Sequence, residues 1–180
     1  MNLPNKITIF RVIMIPVFLI LMLSPGIPYG KYFALAVFII ACTTDFIDGY
    51  LARKYNLVTN FGKFMDPLAD KLLVSSALIC FVQFQTVPAW VVIVIIAREF
   101  IISGFRLVAS DNGLVIAASY WGKFKTAAQM IMCILFILDS NLPLFNILEQ
   151  IFLWLAFGLT VISLLDYLYK NRYILLDGTK

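Results

Sequence analysis

Apolar residues form six long runs along this 180-residue chain, separated by short segments that contain most of its charged residues. The runs cover approximately residues 7–23, 32–52, 67–84, 87–109, 122–138 and 145–169. Each approaches the length of about 20 residues that a helix needs to cross the hydrocarbon core of a bilayer. The pattern therefore predicts an all-α integral membrane protein, a six-transmembrane-helix bundle that forms one domain over residues 1–180.

The amino-acid composition supports a membrane protein and argues against several kinds of catalytic and metal site. Hydrophobic residues make up 62% of the chain, charged residues 13%, and the mean hydropathy is +0.95. Histidine is absent, which excludes Ser-His-Asp triads and histidine metal ligands. Cys42, Cys80 and Cys133 lie singly in apolar runs, so neither disulfides nor a thiolate metal site is predicted. The first run lacks a small-x-small cleavage site, and we expect it to be retained as a helix.

Positive charge is distributed unevenly across the predicted membrane. If six helices alternate, thirteen of the 14 Lys and Arg residues fall on one side and only Lys31 on the other. The positive-inside rule then places both termini on the cytoplasmic side, and the compact chain suits a bacterial plasma (inner) membrane. The strictly apolar part of most runs spans only about 16 to 18 Å of a roughly 30 Å core. We therefore expect a polar cavity that opens to the cytoplasm.

Four aspartates interrupt the second and third runs, at Asp45, Asp48, Asp66 and Asp70. A charged side chain in mid-membrane costs roughly 2.5 to 3.5 kcal/mol on insertion scales, so these carboxylates need partners. Residues three or four apart share a helix face, which groups them into two pairs. Carboxylate oxygens are the ligands that Mg²⁺ and Mn²⁺ prefer, and paired ions serve phosphoryl-group transfer. The spacing predicts a four-carboxylate metal site.

Small and basic residues accompany these aspartates. Gly49 and Gly62 lack side chains where a ligand could approach the backbone, although helix packing would explain either glycine alone. Arg53 could bind a phosphate through its guanidinium fork. The whole run, Asp45-x2-Asp48-Gly49-x2-Ala52-Arg53-x8-Gly62-x3-Asp66-x3-Asp70, resembles the complete signature of the CDP-alcohol phosphatidyltransferases, with no departure in residue type or spacing.

The resemblance implies a reaction and assigns roles. Enzymes of this family move a phosphatidyl group from a CDP-linked lipid to an alcohol and release CMP. By resemblance the four aspartates bind two divalent ions, Mg²⁺ or Mn²⁺, with Asp66 and Asp70 catalytic and Asp70 the general base. The CDP-binding residues that the motif implies are Gly49, Ala52, Arg53 and Gly62. The opening segment Asn5-x2-Thr8-x2-Arg11 is similar to the opening segment of the family, and it adds Asn5 and Thr8 to the implied CDP-binding residues.

The second half of the chain supplies cations for an anionic acceptor. The candidate phosphate-binding residues are Arg98, Arg106, Lys123 and Lys125. Glu99 and Arg106 are nearly in phase on a helix, so we expect an ion pair that fixes Arg106. Lys123 and Lys125 would lie about 200° apart, so only one is expected to point inward. The alternative explanation is that these positive charges only set the membrane topology. It explains Lys125 as well as phosphate binding does, but it explains Arg98 less well.

The Arg98-Glu99-Phe100 segment, with Ser119-x2-Gly122-Lys123-x-Lys125-Thr126 after it, resembles the glycerol-3-phosphate-using branch of the family, the phosphatidylglycerophosphate synthases. This resemblance implies CDP-diacylglycerol and glycerol 3-phosphate as substrates and a homodimer. The net charge of +4 is explained by membrane topology and an anionic ligand, so no nucleic acid is expected. Together the resemblances cover residues 2–126, and the last run is expected to contribute apolarity only. The alternatives are another acceptor (inositol phosphate, serine or phosphatidylglycerol), a divalent-cation transporter, or a structural membrane protein.

Overall fold

A computed structural model describes residues 3–54, 60–111, 119–140 and 142–172. Within these ranges, only the backbone is described for residues 3–5, 45–54, 60–64, 66, 67, 70, 108, 110 and 111. The described residues form six helices and no strand, which confirms the all-α membrane fold. The helices are α1 (Leu3–Leu23), α2 (Gly30–Lys54), α3 (Asn60–Gln83), α4 (Ala89–Asp111), α5 (Tyr120–Leu138) and α6 (Pro143–Lys170).

Three helices among the described residues are long and apolar enough to cross a membrane: α1 through Lys6–Leu23, α5 through Tyr120–Leu138, and α6 through Pro143–Lys170. Two further helices contain shorter apolar segments, Gly30–Thr44 in α2 and Lys71–Gln83 in α3. The first of these ends one residue before Asp45, and the second begins one residue after Asp70. The aspartate motif therefore lies on helical extensions of the apolar segments.

The chain divides into two compact units. The first comprises Met1–Thr86 with Cys133–Asp139, and the second comprises Val87–Met132 with Ser140–Lys180. In the first unit α1 packs against α2 and α3, and α2 also contacts α3. The buried residues of α1 recur every three or four positions, as one helix face requires: Thr8, Arg11, Ile15, Phe18 and Met22. One face of α1 is thus polar near its start and apolar near its end.

Short connections in the first unit bring helix ends together. At Gly30, an added Cβ would lie 2.7 Å from the backbone oxygen of Leu21, so the start of α2 approaches α1 too closely for a side chain. The next residue, Lys31, forms an ion pair with Asp139 at the end of α5, and both side chains are about half exposed. Asp139 has a φ of 42°, in the left-handed region that Asp tolerates better than most residues.

In the second unit α4 packs against α6. The buried residues of α6 again follow a spacing of three and four: Leu153, Ala156, Thr160, Ser163 and Tyr167. Aromatic contacts link the two helices, with the ring centroids of Trp90 and Phe157 5.3 Å apart and those of Phe105 and Tyr167 6.0 Å apart. At the start of α5 the backbone N–H of Gly122 donates to Ser119 Oγ at 3.1 Å, which caps that helix.

Candidate functional site

The aspartate motif occupies two helices that contact each other. Asp45 and Asp48 lie in α2, and Asp66 and Asp70 lie in α3, so each pair is on a helix as the spacing predicts. Their side chains lie outside the described residues. The described side chains contain no group of three metal-binding residues, and the four aspartates are not among them. The metal site therefore stays a prediction.

Most of the predicted CDP-binding residues also lie outside the described side chains. The helical positions are described for Gly49, Ala52 and Arg53 in α2, Gly62 in α3 and Asn5 in α1. Thr8 is described fully: it is completely buried in α1, within the face that also contains buried Arg11. A threonine and an arginine buried one turn apart make this end of α1 polar inside the first unit.

A buried charge cluster in the second unit joins α4 to α5. We call it the Glu99 cluster, and it consists of Glu99, Arg98 and Lys125. Glu99 Oε1 accepts a hydrogen bond from Arg98 Nη1 at 3.1 Å and another from Lys125 Nζ. The exposed fractions of the side chains are 19% for Glu99, 8% for Arg98 and 2% for Lys125. Two buried cations therefore share one carboxylate oxygen.

Two further elements contact the guanidinium of Arg98. On one side, Arg98 Nε donates to Ser163 Oγ of α6 at 3.2 Å. On the other side, Nη2 lies beside the start of α5, where a Cβ added to Gly122 would be only 3.3 Å away. Nη2 therefore packs closely against Gly122, where a larger residue would require the guanidinium to shift.

The Glu99 cluster contains two cationic side chains that are largely buried, Arg98 and Lys125. Burial lowers the local dielectric constant, which strengthens electrostatic interactions at these groups. Guanidinium groups bind phosphate through parallel N–H donors, and lysine supplies a compact charge. The residue types of the cluster are those that proteins use to bind phosphate groups.

The structure brings together two of the four predicted acceptor cations. Arg98 and Lys125 meet at Glu99, while Arg106 and Lys123 are exposed. The expectation that only one of the two lysines points inward is confirmed, because Lys125 is buried and Lys123 Nζ instead lies 5.5 Å from the ring centroid of Tyr120.

The expected ion pair between Glu99 and Arg106 is wrong. Glu99 contacts Arg98 and Lys125 instead. Residues seven apart share a helix face, but they are separated by about 10.5 Å along the axis, which is far for a glutamate side chain to reach. A neighbour in sequence and a lysine from another helix are closer partners.

Sequence reasoning missed Ser163. The last run is predicted to contribute only apolarity, yet Ser163 Oγ accepts a hydrogen bond from the guanidinium of Arg98, a predicted acceptor-binding residue. The available signal was periodic: Thr160 and Ser163 fall on the same three-four spacing as the buried apolar residues of α6. Hydroxyl residues on the buried face of a membrane helix indicate a polar contact.

The model of the CDP-alcohol phosphatidyltransferase family matches residues 1–162. The chain belongs to this family. The match runs through all four aspartates and continues well into α6, beyond the residues 2–126 that carried the sequence resemblance. The phosphatidyltransferase is therefore a membrane enzyme, and the transporter and structural alternatives are set aside.

Curated relatives agree with the family assignment. The phosphatidyltransferase is 52% identical to the CDP-diacylglycerol–glycerol-3-phosphate 3-phosphatidyltransferase of Bacillus subtilis (strain 168), in an alignment that covers 94% of this chain and 95% of the relative. It is 42% identical to the protein of the same name from Haemophilus influenzae, in an alignment that covers 98% of this chain and 97% of that relative. A third, from Rickettsia bellii, is 40% identical over 92% of this chain and 93% of its own length.

Proposed function

We propose that the phosphatidyltransferase transfers the phosphatidyl group of CDP-diacylglycerol to sn-glycerol 3-phosphate and releases CMP. The observation that carries this proposal is the Glu99 cluster, in which two buried cations share one carboxylate. A phosphate monoester accepts hydrogen bonds from guanidinium and ammonium groups such as these, whereas a neutral acceptor such as serine has no phosphate for them to bind. The names of the relatives supply independent support.

The reaction forms one bond and breaks one bond at the same phosphorus atom. The C1 hydroxyl oxygen of glycerol 3-phosphate attacks the phosphorus that bears diacylglycerol, and the bond from that phosphorus to the CMP oxygen breaks. Asp70 accepts the hydroxyl proton, for which one carboxylate oxygen must remain within hydrogen-bond reach. Binding both substrates on one protein supplies the proximity that the bimolecular step needs.

Divalent cations fit the donor set of the aspartate motif. Asp45, Asp48, Asp66 and Asp70 provide only hard oxygen ligands, on two helices in contact, which suits two Mg²⁺ or Mn²⁺ ions. When bound, such ions neutralise negative charge on the diphosphate. The proposed residues for the CDP moiety are Gly49, Ala52, Arg53, Gly62, Asn5 and Thr8.

The acceptor phosphate is assigned to four cations with unequal roles. Arg98 and Lys125 hold it directly, since both are buried in the Glu99 cluster. Arg106 and Lys123 are exposed and raise the local concentration of the anionic substrate through longer-range attraction.

The setting of the enzyme follows from the charge asymmetry of the sequence. We propose six membrane passes in the plasma membrane, with both termini and the active site on the cytoplasmic side. A single catalytic membrane domain over residues 1–180 and assembly as a homodimer belong to the same proposal.

A CMP-release assay tests the reaction. The purified protein is incubated in detergent micelles with CDP-diacylglycerol, with or without glycerol 3-phosphate, and with or without a chelator. We expect CMP and phosphatidylglycerophosphate only when the acceptor is present and the chelator is absent, with activity restored by excess Mg²⁺ or Mn²⁺. Faster CMP release with inositol phosphate, serine or phosphatidylglycerol than with glycerol 3-phosphate would overturn the acceptor assignment. Full activity in chelator would overturn the metal assignment.

A further inference from the structure

We propose that Ser163 of α6 is a positioning residue for the acceptor: its hydroxyl fixes the guanidinium of Arg98 so that Nη2 remains available, beside Gly122, for the acceptor phosphate. The inference rests on the proposed role of Arg98 in binding that phosphate. It gives the last helix a part in acceptor recognition.

The hydrogen bonds of Ser163 define the direction of its hydroxyl. Ser163 Oγ donates its single proton to the backbone oxygen of Thr160 at 3.0 Å, within α6. A lone pair of the same oxygen then accepts from Arg98 Nε at 3.2 Å. Because Ser163 is fully buried, solvent does not compete for either bond. The hydroxyl is therefore an oriented acceptor and holds one edge of the guanidinium.

The second bond of Arg98 fixes the plane of its guanidinium. Nη1 donates to Glu99 Oε1 at 3.1 Å while Nε donates to Ser163, so donors on two different nitrogens of the planar group are held by α4 and α6. A guanidinium has five N–H donors in a rigid fork. Among the described residues no hydrogen bond is formed by Nη2, which lies close to the backbone of Gly122. Nη2 is thus the donor left for a ligand.

Thr160 shows what a purely structural hydroxyl looks like on the same helix. It is as deeply buried as Ser163, but its Oγ1 donates to the backbone oxygen of Ala156 at 2.6 Å, one turn earlier in α6. Among the described residues this hydroxyl contacts neither Arg98 nor another charged group. Thr160 is therefore a matched control for the loss of a buried hydroxyl from α6.

The test compares Ser163→Ala with Thr160→Val in the full-length enzyme. We expect Ser163→Ala to raise the KM for glycerol 3-phosphate roughly three- to tenfold, the range that corresponds to the loss of one hydrogen bond. The KM for CDP-diacylglycerol and kcat should stay within about twofold, as should all parameters of Thr160→Val. Ser163→Thr, which keeps the γ-hydroxyl, should restore the KM for glycerol 3-phosphate towards the wild-type value.

A second control measures Ser163→Ala in an enzyme that already carries Arg98→Ala. In that background Ser163→Ala should have no further effect on the KM for glycerol 3-phosphate, because the two residues act as a unit. The positioning role is overturned if Ser163→Ala leaves this KM unchanged, if it raises the KM of both substrates equally, or if Thr160→Val has the same effect. If Arg98→Ala itself fails to raise the KM for glycerol 3-phosphate, the proposed function of Arg98 fails, which is a separate result.

Discussion

Two groups of charged side chains in this protein differ sharply in their surroundings. The Lys31–Asp139 pair of the first unit has side chains that are 51% and 50% exposed, whereas those of the Glu99 cluster in the second unit are between 2% and 19% exposed. Exposed ion pairs contribute about 0 to 1 kcal/mol, because water and ions screen them. Buried pairs are different: the desolvation of the charges can exceed their mutual attraction.

The comparison indicates that the charges of the Glu99 cluster are costly to bury. Desolvation of its three charged side chains offsets much of their mutual attraction. The exposed pair, in contrast, joins two helix ends at little desolvation cost.

The largest effect of a substitution is expected at Asp70, which belongs to neither group and is the proposed general base. Asp70→Asn should lower kcat by at least about 10²-fold, since general-base catalysis contributes that much or more. Both ion-pair groups are untouched, so the melting temperature should change little. CMP release at saturating substrates measures the rate, and near-normal turnover would remove Asp70 from the role of base.

The second largest effect concerns the carboxylate of the Glu99 cluster. Glu99→Gln should lower the free energy of unfolding by about 3 kcal/mol, because it removes the negative charge that two buried cations contact. Denaturation in mild detergent measures this loss.

Asp166→Asn is the matched control for Glu99→Gln. Both carboxylate side chains are 19% exposed, but the partner of Asp166 is Lys170, whose side chain is 62% exposed. The loss for Asp166→Asn should stay below about 1 kcal/mol. Equal losses in the two variants would show that burial of the partner cation does not matter.

A smaller effect is expected at Gly122, which packs against the guanidinium of Arg98. Gly122→Ala places a Cβ 3.3 Å from Nη2, so the guanidinium must shift by a few tenths of an ångström. We expect the KM for glycerol 3-phosphate to rise about two- to threefold, while alanine stabilises α5 by up to about 1 kcal/mol. Kinetics and thermal unfolding of one preparation measure both quantities. An unchanged KM would mean that Nη2 does not contact the acceptor.

The smallest effect is expected at the exposed pair. Lys31→Ala should reduce the free energy of unfolding by less than about 1 kcal/mol and leave both KM values unchanged. A double-mutant cycle with Asp139→Ala isolates the pair energy. A coupling energy above 2 kcal/mol would contradict the contrast between the two groups.

The existence of the helices could be predicted from the apolar runs, but their ends could not. The third apolar run predicts a helix that begins at residue 67, whereas α3 begins at Asn60. The difference arises because the polar residues of the aspartate motif are also helical. The motif itself identified the family, since its spacing is local and independent of packing.

Contacts between side chains of different helices could not be predicted from the sequence. Ser163 is 65 residues from Arg98, and the pairing of Glu99 with Lys125 joins α4 to α5. Helical phase alone suggested Arg106, which is two turns away along the axis. Local periodicity identifies which face a residue occupies, and only the packing of helices shows what it meets there.

The most direct test of the account is the pair of Michaelis constants for Arg98→Ala. If the Glu99 cluster binds the acceptor phosphate, the KM for glycerol 3-phosphate should rise by roughly tenfold or more, as the loss of a charge-assisted hydrogen bond implies, while that for CDP-diacylglycerol stays within about twofold. An equal rise in both constants, or an unchanged KM for glycerol 3-phosphate, would contradict the assignment of this cluster to the acceptor.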